Sequence, residues 1–167
     1  LAAAAGEVAT QCAGSITLGV GQFCTNPGLI IGIDGTDLQQ FIHDLGKAIQ
    51  QIVPGTMLHP GIANAFAEKK EEALMQPDVH LVAESAIAPA EKQGQPTIAT
   101  VDGRTFLSNP VLHREVFGPY SLVVRCADMQ EMIEVAKHLE GQLTSTIMAT
   151  TADINNPPII FGSTRET

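Results

Sequence analysis

Residues 29–55 read LIIGIDGTDLQQFIHDLGKAIQQIVPG, and a change of period inside them decides the fold. Leu29 to Ile33 is a short apolar, β-branched run bounded by Gly28 and Asp34-Gly35, which predicts a strand buried on both faces. Thr36-Asp37 can cap the next element. From there Leu38, Phe41, Ile42, Leu45, Ile49 and Ile52 recur at helical spacing until Pro54-Gly55, so a helix follows the strand. Working downstream, a second helix is expected from Pro60 to Met75 with the polar end AEKKEEALMQ exposed. Strand signals return at Val79 to Ala83 and at Thr97 to Val101, the latter closed by Asp102-Gly103. Ser121 to Cys126 is another apolar run, followed by a helix carrying Met129, Met132, Ile133, Ala136 and Leu139 on one side. Leu143 to Thr150 reads as a further strand and Ile159 to Phe161 as a last short one. Upstream, residues 1–20 read as a helix for most of their length, because Ala costs least in a helix, with Gly14 and Gly19 weakening its end. Strands alternating with amphipathic helices predict an α/β fold: one domain over residues 1–167, a mostly parallel sheet flanked by helices, no internal repeat.

The chain has 167 residues, with 18 acidic against 9 basic side chains, a formal charge of −9, 44% hydrophobic content and no Trp. That length buries about two-thirds of the surface an unfolded chain exposes, enough for a core without disulfide or metal staples. The acidic balance offers no basic stripe to neutralise phosphates, which argues against nucleic acid and anionic membranes as partners. No apolar run approaches the ~20 residues that span a bilayer. Leu1 to Ala5 lacks a basic flank and meets Glu7 almost at once, unlike a signal peptide. Three cysteines, Cys12, Cys24 and Cys126, form no C-x-x-C pair, and an odd count does not close into a disulfide framework. A cytoplasmic protein is the expectation. The start, without Met and rich in Ala, reads as if cut from something longer.

Two loops could carry chemistry. Residues 19–28, GVGQFCTNPG, deliver Cys24 between a helix and a strand, with glycines that permit close backbone approach and Pro27-Gly28 fixing a turn behind the thiol. That suits a presented nucleophile; a small buried cysteine is the competing reading, and spacing does not choose between them. Gly19-x-Gly21-x-x-Cys24 imitates a dinucleotide fingerprint, but it places Cys where the third Gly belongs and follows a helix instead of a strand, so the phosphate-cradling reading fails. Residues 109–119, NPVLHREVFGP, run charged residues into an aromatic and a Gly-Pro turn just before a strand. There Glu115 could accept hydrogen bonds from ligand hydroxyls and Phe117 could offer a flat apolar face, against the alternative of a surface Glu and a core Phe. His43, His59, His80, His113 and His138 show no i, i+4 pair and no carboxylate at metal-ligand spacing, so no metal site is expected. A histidine base for Cys24 could come only through the fold, with His113 the weak choice.

GQFCTNPG and REVFGP, in this order and at this distance, resemble the two signatures of the aldehyde dehydrogenase superfamily's catalytic domain. The flanking AGSITLGVGQFCTNPGL and VDGRTFLSNPVLHREVFGPY look most like the branch of 2,5-dioxovalerate (α-ketoglutarate semialdehyde) and fatty aldehyde dehydrogenases, commonly NADP-dependent. The resemblance covers residues 1 to about 154. It implies that Cys24 is the nucleophile and its backbone N–H one oxyanion donor. It implies that Glu115 holds the nicotinamide ribose hydroxyls, that Phe117 helps position that ring, and that Phe23 and Thr25 flank the substrate. The implied cofactor is NADP or NAD, held mainly by a dinucleotide-binding domain; the implied substrate is a small aldehyde, and the family usually forms homo-oligomers.

In the family, the dinucleotide-binding domain, the general-base glutamate and the asparagine completing the oxyanion hole precede the cysteine by many residues. This chain starts too late to contain them, so the resemblance implies a catalytic-domain fragment with no turnover of its own. Asn155-Asn156-Pro157-Pro158 then leads straight to IIFGSTRET, where the family continues through a helix, marking 155–167 as an atypical end. Two other functions stay open on the residues alone: a stand-alone cysteine-dependent hydrolase or acyltransferase, and a non-catalytic oligomerisation remnant with an inert Cys24.

Overall fold

A computed structural model describes residues 5–139 and 141–148. Helix α1 (Ala5–Thr17) leads through a tight turn, Leu18–Gly21, and an irregular loop into β1 (Leu29–Ile33) and α2 (Thr36–Gln50). A two-residue strand β2 (Gly55–Thr56) precedes α3 (Pro60–Leu74) and β3 (His80–Glu84). Then come β4 (Gln93–Gly94), β5 (Thr97–Asp102), α4 (Gly103–Ser108), a 3-10 turn (Pro110–His113), β6 (Tyr120–Cys126) and α5 (Met129–His138). The main sheet has the order β1-β6-β5-β3. β6 pairs in parallel with β1, Leu29 opposite Leu122, and with β5, Thr97 opposite Tyr120; only β3 runs antiparallel.

The strand period of two sorts side chains into two cores on opposite faces of this sheet. Ala99, Val101, Leu122 and Val124 point to one face, where they meet Phe66, Phe106 and Val135 from α3, α4 and α5. Ile98 and Val123 point to the other, against Ala9, Ala13 and Ile16 of α1 and Leu45 and Ile49 of α2. The result is helices, sheet, helices in three layers, as the alternating pattern predicts. β5 and β6 are buried almost throughout. β1 is only half-buried, with Ile33 exposed, because it is an edge strand among the described residues. The expectation of burial on both faces is corrected there, since an apolar run does not say where in a sheet it lies.

Residues 143–148 of the expected strand Leu143–Thr150 are irregular and exposed, and positions 149–150 lie outside the described residues, as do Ile159–Phe161 and the 155–167 end. Asp102-Gly103 does more than close β5. The Asp102 carboxylate accepts from Thr105 N–H at 2.8 Å and from its hydroxyl at 3.0 Å, capping α4. Burial pushes the Asp102 carboxyl up, but these two bonds, the Arg104 N–H and the Arg125 charge together hold it below the ordinary value of 3.8. A folded-state pKa below the unfolded one stabilises above the unfolded value and stops doing so as pH falls through the folded one. Asp102→Ala is therefore expected to cost about 1 kcal/mol at pH 7, with the gap to wild type closing on acidification below 3.8. Urea midpoints at both ends of that range measure it.

Candidate active site

The parallel register decides which loops meet. β1 and β6 are neighbours running the same way, so the segments entering them lie at the same end of the sheet. One is the loop with Cys24, five residues before β1; the other carries Glu115 and Phe117, five and three residues before β6. Hydrogen bonds join them directly. Asn26 Nδ2 donates to the Gly118 carbonyl at 3.0 Å, Leu122 N–H to the Gly28 carbonyl at 2.9 Å, and Ser121 Oγ to the Pro27 carbonyl. Gly21 lies so close to the Gly118 carbonyl that any Cβ on it would overlap that group.

The Cys24 loop turns sharply because Gly19, Val20 and Gly21 occupy the left-handed region in succession, at φ 55°, 59° and 64°. Gly19 also gives its bare Cα to the Phe23 ring, which would overlap a Cβ there. Gln22 fastens the turn at two points: its Nε2 donates to the Gly19 carbonyl at 3.0 Å and its Oε1 accepts from Leu58 N–H at 2.9 Å. Asn26 N–H donates to the Phe23 carbonyl at 3.0 Å, closing a turn around the cysteine. Cys24 and Thr25 are exposed, and Phe23 is 49% exposed.

The three thiols differ as their surroundings dictate. Burial, with the negative charges of Glu131 and Asp128 behind it, raises Cys126 to about 11 and keeps it a protonated core side chain. Burial also raises half-buried Cys12. Cys24 alone is open to solvent, so of the two readings of this thiol the presented one fits its placement.

On the facing loop, Glu115 is exposed and Phe117 half-buried. Lys69 Nζ donates to the Glu115 backbone carbonyl at 3.1 Å, and Arg114 reaches Glu72 at 3.2 Å, so two contacts to α3 hold this loop. Phe117 lines a cavity of about 250 Å³ with His59, Ile62, Ala65, Phe66 and Lys69. A flat ring beside an apolar hollow, with a free carboxylate two residues away, suits a ligand that combines a planar heterocycle with hydroxyl groups. His59 and Lys69 were not singled out from sequence; they reach this cavity only because α3 starts beside it. His59 Nδ1 accepts from Gly61 N–H at 3.0 Å, which leaves the ring proton on Nε2.

His113 is engaged elsewhere: its Nε2 lies 2.7 Å from the Phe106 carbonyl and its ring packs on Phe106 at 4.5 Å. Among the described residues no histidine is hydrogen-bonded to Cys24, and no group of three or more His, Cys, Asp or Glu side chains could hold a metal ion. No helix of the described residues is long and apolar enough to cross a membrane.

No family model matches the chain. It is 42% identical over 147 residues to alpha-ketoglutaric semialdehyde dehydrogenase 2 of Azospirillum brasilense, covering 88% of this chain and 28% of that protein. It is 35% identical over 149 residues to the alpha-ketoglutaric semialdehyde dehydrogenase of Acinetobacter baylyi, covering 89% and 28% respectively. The chain thus spans about a quarter of the length of the curated relatives it matches. Among solved structures, an NAD-dependent benzaldehyde dehydrogenase from Corynebacterium glutamicum superposes with a TM-score of 0.73 at 17% identity, over 91% of this chain and 34% of that one.

Proposed function

We propose that this chain, a homologue of the aldehyde dehydrogenases, is the catalytic-domain portion of an NAD(P)-dependent enzyme that oxidises a semialdehyde to a carboxylate. One observation carries the reading: two loops remote in sequence, one presenting the exposed Cys24 and the other Glu115 and Phe117, are bonded together through Asn26 and Gly118 at one end of the sheet. In this reading Cys24 attacks as thiolate. A C–S bond forms at the aldehyde carbon while the carbonyl π pair moves onto oxygen, and the Cys24 N–H donates to that oxyanion; such a donor supplies about 3 kcal/mol. Loss of hydride from the carbon leaves a thioester on Cys24, which water cleaves to release the acid. Glu115 would accept from the ribose hydroxyls and Phe117 would support the ring, holding the cofactor in register with the thiol. When bound, the cofactor supplies the hydride acceptor. Phe23 and Thr25 flank the sulfur and would meet the substrate.

By the family resemblance, the base that activates the hydrolytic water, the second oxyanion donor and the dinucleotide-binding domain would come from segments preceding the cysteine, so turnover would require them beside this domain. The whole enzyme would be a homo-oligomer, as its family usually is. NADP and NAD both fit the residues of this chain, and the cytoplasm, where reduced thiols persist, is the compartment we assign.

Limiting iodoacetamide followed by peptide mass spectrometry tests the assignment. Cys24 is expected to label at least about tenfold faster than Cys12, and Cys126 only on unfolding. Equal labelling of Cys24 and Cys12 would overturn the nucleophile assignment and favour the inert-module reading.

A further inference from the structure

Val20 is a conformational outlier that the reaction itself does not explain. It is β-branched, yet it sits at φ 59° between two left-handed glycines, where an L-residue loses about 1–2 kcal/mol against right-handed backbone. Such a residue persists only where its surroundings over-determine it. Here the surroundings are a socket. Gly55 of β2 and Gly94 of β4 face each other directly across the two-stranded ribbon, so this rung of the ribbon has no side chains. Val20 fills the space. A Cβ on Gly55 would come within 2.5 Å of Val20 Cγ2, and one on Gly94 within 3.1 Å of Val20 Cγ1 and 3.0 Å of the Pro119 ring. The same pair of glycines therefore receives Val20, four residues before Cys24, and Pro119, two residues after Phe117.

We propose that the β2–β4 ribbon is a positioning clamp for the active site: the Gly55–Gly94 socket grips Val20 and Pro119 together and so fixes Cys24 relative to Glu115 and Phe117. A two-stranded ribbon of two residues per strand has little stability by itself, and its value here lies in what it holds. Asn26 and Gly21 tie the two loops to each other around Gly118 and Pro119, and Ser121 and Leu122 bond to the Pro27 and Gly28 carbonyls where the loops enter the sheet; apart from Gly21, these ties lie downstream of Cys24. The ribbon adds a separate attachment upstream of Cys24, at Val20, so that the cysteine turn is held on both sides of the thiol. Val20 is thus a positioning residue that touches no reactant. The inference rests on the reading of Cys24 as nucleophile for its functional meaning, but the clamp itself is a claim about geometry.

The test labels Cys24 with 3-bromo-1,1,1-trifluoroacetone under limiting reagent and reads the ¹⁹F spectrum of the 167-residue chain. Wild type should give one narrow line. Gly55→Ala, which pushes Val20 out, should split the line or broaden it at least twofold, while far-UV circular dichroism stays unchanged. Val20→Ala, which empties the socket, should do the same. The double variant Val20→Ala/Gly55→Ala should return towards one narrow line, because the methyl added at 55 occupies space vacated at 20. Overturning results are a wild-type line in both single variants, or a double variant no closer to wild type than either parent. If Gly55→Ala fails to fold, Val20→Ala decides alone, since it only removes methyl groups and eases the backbone. A line that responds as expected on a Cys24 with no labelling preference would keep the clamp and remove the nucleophile, so the two claims fail separately.

Discussion

Gly21→Ala is expected to destabilise the chain by about 4 kcal/mol, the sum of a left-handed backbone penalty and an overlap that nothing nearby can relieve. Gly21 sits at φ 64°, and a Cβ there would run into the Gly118 carbonyl and the Pro119 nitrogen, all of it main chain. A flexible side chain could move aside; a carbonyl that already accepts from Asn26 Nδ2 at 3.0 Å moves only by giving up that bond. Asn26 would then lose its partner in a place where its Oδ1 is already buried and unbonded. The damage falls on the junction of the two loops, so Cys24 labelling should become heterogeneous along with the loss of stability. Gly14→Ala is the control. Gly14 lies inside α1 with nothing within 4 Å of the added carbon, and the same substitution there should stabilise by about 0.5–1 kcal/mol through helix propensity. Urea midpoints that move the same way for both variants would mean that the Gly21–Gly118 approach is not a constraint.

How far the sequence speaks depends on where a residue's reason for being lies. The helices α2, α3 and α5 and the strands β3, β5 and β6 are legible because burying one face or one stripe imposes a period, and periods survive in the text. Cys24, Glu115 and Phe117 could be picked out because glycines and Gly-Pro turns surround them. The missed elements, α4, the 3-10 turn at Pro110–His113 and the β2–β4 ribbon, span six, four and two residues per element, too few to display any period. Gly55 and Gly94 each look like ordinary turn residues; their common purpose exists only once Val20 lies between them. Asp102-Gly103 was legible as an end of β5 and not as a beginning, although Asp before a short apolar segment is also a helix cap.

The end of the sheet is the other lesson. Ligands of open parallel sheets usually bind beyond the carboxyl ends of the strands, yet Cys24, Glu115 and Phe117 all enter strands, placing the candidate site at the amino ends of β1 and β6. The carboxyl ends carry Asp34, Asp102, Arg104, Arg125 and Glu131 around a hollow of about 340 Å³. The carboxylates there are engaged with arginines and caps: Arg125 lies 3.6 Å from Asp34 and Arg104 3.8 Å from Glu131, and the Asp102 and Glu131 carboxylates accept from the backbone N–H groups of Thr105 and Ala127, while Arg125 Nε is buried without a hydrogen-bond partner. A generic rule about parallel sheets points to the carboxyl ends, whereas the motifs of the two loops point to the amino ends.

Phe106→Ala should be the costliest truncation on the α3–α4–α5 face, at about 3–5 kcal/mol, and its consequence should reach the Glu115 loop. Phe106 has no exposed surface and heads the fully buried side chains by volume. It belongs to a six-residue helix, far below the ~12–15 residues at which a helix persists in water without tertiary support, so this ring and the Asp102 cap are what keep α4 in place. His113 leans on the ring at 4.5 Å and meets the Phe106 carbonyl at 2.7 Å. That pairing anchors the turn from which the chain passes directly to Arg114 and Glu115. Removing the ring leaves a cavity and takes away the surface His113 packs on, so the turn loosens and the loop relies more heavily on Lys69, Arg114 and the Asn26 bond to Gly118. Against a total stability of about 5–15 kcal/mol for a domain, the loss should be plain as a lower denaturation midpoint with an unchanged slope. Phe106→Leu, which keeps most of the volume, should lose less than about 1.5 kcal/mol. Equal losses for Ala and Leu would show that the volume of the ring is not what anchors α4, and that the route from this core to Glu115 must run through some other contact.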